Sequence, residues 1–178
     1  VPLTASADTA RVNAALVGGG AAKSAAGDVS EMAPTTVRLA TGRQRLTVVR
    51  AARTLDAILD AARVADVLVM VVVADETPDD FATTMLAALR GQGVPTTMCV
   101  IQNIPAGLAT RHVSAFKTDA GSFLANQLLP DVSVRTMDTD EDTQAVMRYL
   151  ASTKLRPRPW KDNHPYMLVD QVAYDAAS

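Results

Sequence analysis

Short β-branched and apolar runs alternate along this chain with segments whose apolar positions recur every three or four residues. Residues 67–73 (Val-Leu-Val-Met-Val-Val-Val) form an unbroken run of the kind found in central strands buried on both faces. Residues 96–101 form a second such strand, and 132–137 a third. Leu55, Ile58, Leu59 and Ala62 fall at i, i+3, i+4, i+7 spacing and predict one face of a helix. Residues 35–39 and 45–49, joined by Ala40-Thr41-Gly42-Arg43-Gln44, predict an antiparallel hairpin. A strand end at Val1-Pro2-Leu3 leads into a helix over 7–17, with Ser6 as its N-cap and Gly18 to Gly20 ending it. Residues 21–34 read as a loop. Thr77 reads as the cap of the next helix, with Pro78, Asp79 and Asp80 in its first turn and Gly91 and Gly93 stopping it. A long helix is expected over 108–128, interrupted near Gly121. Thr139, followed by Asp140, Glu141 and Asp142, opens a last helix whose inner face is Val146, Met147 and Leu150.

The order is β-α-β-β-α-β-α-β-α-β-α, which predicts a mostly parallel α/β sheet. One hairpin, between the second and third strands, separates the small-GTPase arrangement from a plain dinucleotide-binding order. The fold expected is a P-loop-GTPase-like three-layer sandwich with one antiparallel hairpin. In an active enzyme of this shape the first strand runs into G-x-x-x-x-G-K-[ST], whose amides, Lys and hydroxyl hold phosphate and Mg²⁺. Here it runs into Thr4-Ala5-Ser6-Ala7-Asp8-Thr9-Ala10-Arg11, with an acid and no Lys-Ser pair. The Asp-x-x-Gly after the third strand is matched by Arg50-Ala51-Ala52-Arg53, which puts cations where a metal-side carboxylate belongs. The guanine-reading Asn-Lys-x-Asp is matched by Gln102-Asn103-Ile104-Pro105. Three separate losses predict a degenerate nucleotide site, no GTP hydrolysis and no bound cofactor. Gly18-Gly19-Gly20-Ala21-Ala22-Lys23-Ser24 has the wrong spacing for a phosphate loop and follows a helix, so its glycines read as helix-ending.

Composition narrows the class further. Apolar residues make up 48% of the 178 positions and charged ones 20%, as in ordinary globular domains. A net charge of −2 excludes a surface that is basic throughout, so any RNA contact is local. Cys99 is the lone cysteine and cannot form an internal disulfide, which suits a reducing compartment. The longest apolar run, 67–74, is far short of the roughly 20 residues of a membrane span, and no secretory signal is visible. The ends read as cut from a longer protein: residues 1–153 as a GTPase-like domain, 154–162 as a basic linker, and 163–178 as the start of another domain.

Remaining candidate chemistry is sparse. His112 and His164 stand far apart, and no Cys/His spacing suits a metal. The acids at 138 and 140–142 suit a helix start better than a cation site. Asp75 and Glu76 lie at the carboxyl end of a central strand, where ligands of such sheets bind. A small-molecule pocket lined by Asp75 and Gln102 would mark an unrelated α/β enzyme. Lys154, Arg156, Arg158 and Lys161 around Trp160 form the candidate RNA contact, with phosphate pairing and stacking as its chemistry; a solvated linker held extended by its prolines is the alternative.

Several stretches resemble the Bms/Tsr family of eukaryotic pre-rRNA-processing factors, relatives of translational GTPases. Ala62-Arg63-Val64-Ala65-Asp66, with the apolar strand and Asp75 after it, is similar to the family's AKVAD…D segment. Gly91-Gln92-Gly93-Val94-Pro95 is similar to its AQGLP turn, and Val100-Ile101-Gln102 to the VQ that follows. Trp160 to Asp170 resembles the family's entry into its first β-barrel, though Asn163 and His164 replace the usual basic residues. The empty nucleotide motifs resemble the Tsr branch, which implies a non-catalytic factor docking on the precursor of the small (40S) ribosomal subunit. The resemblance further implies that this factor blocks premature translation-factor binding during 18S rRNA maturation. It also implies partners among precursor rRNA, small-subunit proteins and other assembly factors, without a membrane or small-molecule substrate, in nucleolus, nucleus and cytoplasm. The alternative is an active GTPase of the Bms branch in the small-subunit processome.

Overall fold

The structure, a computed structural model, describes residues 1–18, 22–23, 34–38, 44–157, 163–164 and 166–169. Three parallel strands, β4 (Val67–Val73), β5 (Thr96–Gln102) and β6 (Ser133–Thr136), pair in the order β4-β5-β6. Along β4 alternate residues enter different cores. Leu68, Met70 and Val72 join one apolar cluster and Val71 the other. Cys99 on β5 faces the first cluster, Met98 and Val100 the second. Both faces are covered, so the period-2 alternation of a half-exposed strand is replaced by a continuous apolar run. Burial pushes the Cys99 thiol up to about 12, which makes it an inert packing group.

The expected first strand is reduced to one isolated bridge. Pro2 sits parallel to Val71, the Val71 N–H donates to Val1 at 2.9 Å, and the Leu3 N–H donates to Val71 at 2.8 Å. Proline lacks an N–H, which suits this outer position beside β4. β1 (Ala22–Lys23), β2 (Thr35–Arg38) and β3 (Arg45–Val48) make a separate antiparallel sheet. The predicted hairpin is there, with Val37 opposite Leu46; the expected loop 21–34 lies largely outside the described residues, but two of its residues pair with β2.

Helices α2 (Leu55–Val64), α3 (Asp80–Gln92) and α4 (Thr110–Gln127) supply the first core through Ile58, Ala62, Leu86, Leu89 and Leu124. α1 (Thr9–Gly18) and α5 (Asp140–Ser152) supply the second through Val12, Leu16, Val146 and Met147. The result is the expected three-layer α/β arrangement. Three details differ. α3 runs through Gly91 and ends at Gly93, whose φ of 97° favours glycine and whose N–H reaches Leu89 at 3.0 Å. α4 is not interrupted at Gly121, where an added Cβ would lie 3.5 Å from Val134 on β6. The caps of α1 and α3 are Asp8 and Asp79, not Ser6 and Thr77.

Candidate functional site at the carboxyl ends of the parallel strands

The loops that follow Leu3, β4, β5 and β6 meet at one end of the sheet, the end where open α/β folds place ligands. Each loop is held by a side chain from another. The Glu76 carboxylate accepts from the backbone N–H of Ala5 at 3.1 Å and of Ser6 at 3.2 Å, and from the Ser6 hydroxyl. The Ser6 hydroxyl bond is the main reason its carboxyl lies below the usual carboxylate range. Thr4, fully buried, accepts from the Val73 N–H through its hydroxyl at 3.2 Å. In a phosphate loop such amides face an anion, and here a carboxylate of the chain itself takes that place.

Gln102 is 1% exposed and clamps Asp8 from both sides. Its Oε1 accepts from the Asp8 N–H at 3.1 Å, and its Nε2 donates to the Asp8 carbonyl at 3.1 Å. Asp8 then caps α1 by accepting from the Arg11 N–H at 2.9 Å. Beyond Gln102 the chain turns through Asn103 at φ 58°, a left-handed conformation that Asn tolerates. The N–H groups of Asn103 and Ile104 both donate to the Asp138 carboxylate, each at 2.9 Å. Arg11 spans the gap, reaching Asn103 Oδ1 at 3.0 Å and Asp138 at 3.2 Å.

Arg53, in the loop between β3 and α2, gives its charge to Asp79 at 2.6 and 2.7 Å and lies 4.5 Å over the Phe81 ring. The Arg53 hydrogen bond is the first cause of the low Asp79 carboxyl pKa, followed by the Ala82 N–H that Asp79 caps. At the expected helix start, Asp142 forms a capping box with Thr139 and also accepts from Thr136 at 2.8 Å. Burial works against its charge, but these bonds prevail and its carboxyl stays low. Of the acids read as a candidate cation group, Asp138 and Asp142 are thus committed to N–H and O–H donors. Among the described residues no three His, Cys, Asp or Glu side chains gather in a metal-holding cluster. His112 lies on the exposed face of α4 and accepts from Arg111 at 3.2 Å.

Asp75 and Gln102 do not share a pocket. Gln102 borders a cavity of about 130 Å³ with Arg11 and Asp138. Asp75 borders a separate, larger apolar cavity. The basic run starts at the opposite end of the sheet. The Arg156 N–H donates to Thr96, the first residue of β5, at 2.7 Å, and its guanidinium is 3.9 Å from Asp131. Lys154 is exposed, while Arg158, Trp160 and Lys161 lie outside the described residues. Of the strand expected from Tyr166, residues 166–169 are described and form no strand; Tyr166 lies under the Arg63 guanidinium at 5.6 Å. No helix among the described residues is long and apolar enough to cross a membrane.

Glu76, Gln102, Arg11 and Asp138 were not legible as a set, because their partners stand 34 to 127 residues away. One signal was available. A phosphate loop without Lys and Gly leaves amides in need of an acceptor, and Glu76 is an acid at the end of the adjoining strand.

Residues 1–152 match the family described as Tsr1, G-like domain. The chain belongs to that family. The match to the Tsr1 G-like domain covers the three-layer body from Val1 to the end of α5. The chain is 23% identical over 132 residues to the ribosome biogenesis protein tsr1 of Schizosaccharomyces pombe, covering 74% of this chain and 17% of that protein. It is 22% identical over 120 residues to the pre-rRNA-processing protein TSR1 homolog of Dictyostelium discoideum, covering 67% and 14%. It therefore spans about a sixth of the length of these relatives. The fold of translation elongation factor SelB from Methanococcus maripaludis, solved with the GTP analogue GppNHp, superposes with a TM-score of 0.53 at 20% identity, over 69% of this chain and 28% of that one. The GTPase-like fold read from the strand order is the fold found.

Proposed function

We propose that this Tsr1 G-like domain belongs to a ribosome biogenesis factor and acts by occupancy, without turnover. It docks on the precursor of the small (40S) ribosomal subunit. There a rigid body shaped like a translational GTPase blocks premature translation-factor binding during 18S rRNA maturation. The observation that carries this reading is the Glu76 carboxylate on the Ala5 and Ser6 amides, where a nucleotide phosphate would have to sit. A nucleotide would need to displace that carboxylate, break the Gln102 clamp and bind without a Lys to balance its charge. The names of the two relatives support the ribosomal setting. The basic run of Lys154, Arg156, Arg158, Trp160 and Lys161 supplies the RNA contact; Arg156, within it, is bonded to Thr96 at the opposite end of the sheet from the loops held by Glu76 and Gln102. Nucleolus, nucleus and cytoplasm are the compartments this role requires.

The test is titration of the full-length protein with fluorescent GTP and GDP in Mg²⁺, beside sedimentation of tagged protein with 40S precursors. No nucleotide binding together with co-sedimentation is the expected result. Micromolar or tighter nucleotide binding would overturn it and put an active GTPase of the processome in its place.

A further inference from the structure

A cavity of about 430 Å³ opens beside the closed loops. That volume lies within the range of about 300–1,000 Å³ usual for ligand pockets. Its lining is mainly apolar: Leu3, Val72 and Ile101 at the strand ends, with Phe116, Ala120 and Phe123 from α4. Phe123 and Ala120 pack against the first core, whereas Phe116 belongs to neither core cluster among the described residues. Two exposed carboxylates, Asp75 on the β4–α3 loop and Asp119 on α4, also line the opening. Neither is in an ion pair among the described residues. The third acid, Glu76, is already spent on Ser6.

The loop wall is fixed before anything binds. The Ala74 N–H donates to the Gln102 carbonyl at 3.0 Å, the Glu76 N–H to Val73 at 3.2 Å, and the Glu76 carboxylate holds Ser6. A wall already ordered costs little to bind against. An apolar recess lined also by two unpaired anions selects an apolar side chain carried beside cations.

We infer that this cavity docks a basic peptide segment of a partner protein. One bulky apolar side chain enters between α4 and the 74–78 loop, and flanking Lys or Arg residues pair with Asp75 and Asp119. The partner is a protein because the two carboxylates come from separate elements on the cavity lining, so a chain crossing the opening can reach both. The site is distinct from the Lys154–Lys161 run, whose charge has the opposite sign.

Fluorescence polarisation of the full-length protein with labelled Lys-Trp-Lys-Lys, Lys-Gly-Lys-Lys and Glu-Trp-Glu-Glu peptides tests this. The first should bind at least about tenfold tighter than either of the others, and less tightly as salt rises. The exposed double variant Asp75→Lys with Asp119→Lys should lose that preference while keeping the native circular dichroism spectrum. Ala120→Leu, which fills the recess without changing charge, should weaken the Trp peptide but not the Gly peptide. Equal binding of the Trp and Gly peptides, an unaffected double variant, or no binding at millimolar peptide would overturn the inference. Tryptamine binding as tightly as the peptide would overturn it too, in favour of a small-amine pocket.

Discussion

Ser6 and Glu76, 70 residues apart, are joined by the Ser6 N–H at 3.2 Å and by the Ser6 hydroxyl, both donating to one carboxylate. The bond links the loop after the first chain segment to the loop after β4. If the carboxylate does the joining here, removing it should loosen the amides it holds. Glu76→Ala should speed hydrogen exchange at Ala5 and Ser6 by about tenfold or more, with little change in the β5 amides. Glu76→Gln, whose side-chain oxygen still accepts, should fall between. Unchanged exchange at both positions in Glu76→Ala would show that the loop stands without it.

Acid should weaken the domain through the same contacts. The carboxyls of Glu76, Asp79 and Asp142 all lie below their ordinary values. A carboxylate depressed in the folded state adds stability above its unfolded pKa and loses it as pH falls through the folded one. Thermal midpoints should therefore be level above about pH 5 and drop as the pH falls below about 4. The drop should be shallower in the variants Glu76→Gln, Asp79→Asn and Asp142→Asn. A wild-type midpoint that stays level down to pH 2 would contradict it.

Gln102 gives a larger, buried version of the same logic. Its amide satisfies both the N–H and the carbonyl of Asp8 from a side chain 1% exposed. Gln102→Ala should cost about 2–3 kcal/mol, the loss of two bonds at a site where the freed backbone groups stay partly buried. Urea unfolding should show a lower midpoint with an unchanged slope. Gln102→Glu should also destabilise, since it keeps the acceptor for the Asp8 N–H but sets an anion against the Asp8 carbonyl.

What could be read beforehand was whatever the chain settles locally. β4 announced itself because both its faces are covered, and the start of α5 at Thr139 because its acids follow within one turn. The α3 cap was misread because Thr77 and Asp79 both flank Pro78. Asp79 prevails where Arg53, 26 residues earlier, pairs with the same carboxylate. Ser6 lost the α1 cap for a similar reason, its hydroxyl being committed to Glu76. Departures from the nucleotide motifs could be read residue by residue; the bonds among these loops could not, since each joins segments that only the folded sheet brings together.

The end of α3 offers two glycines two positions apart with opposite expectations. Gly91 lies inside the helix, and an added Cβ there would have no heavy atom within 4 Å. Alanine loses less backbone entropy on folding and favours the helix, so Gly91→Ala should stabilise by up to about 1 kcal/mol. Gly93 sits at φ 97°, where its N–H closes the helix on Leu89. An L side chain is strained there, so Gly93→Ala should destabilise by at least about 1 kcal/mol. Both can be read from urea midpoints of single variants. If both glycines proved equally costly to replace, the helix would be ending at Gly91, and the turn toward β5 would begin two residues earlier than the structure places it.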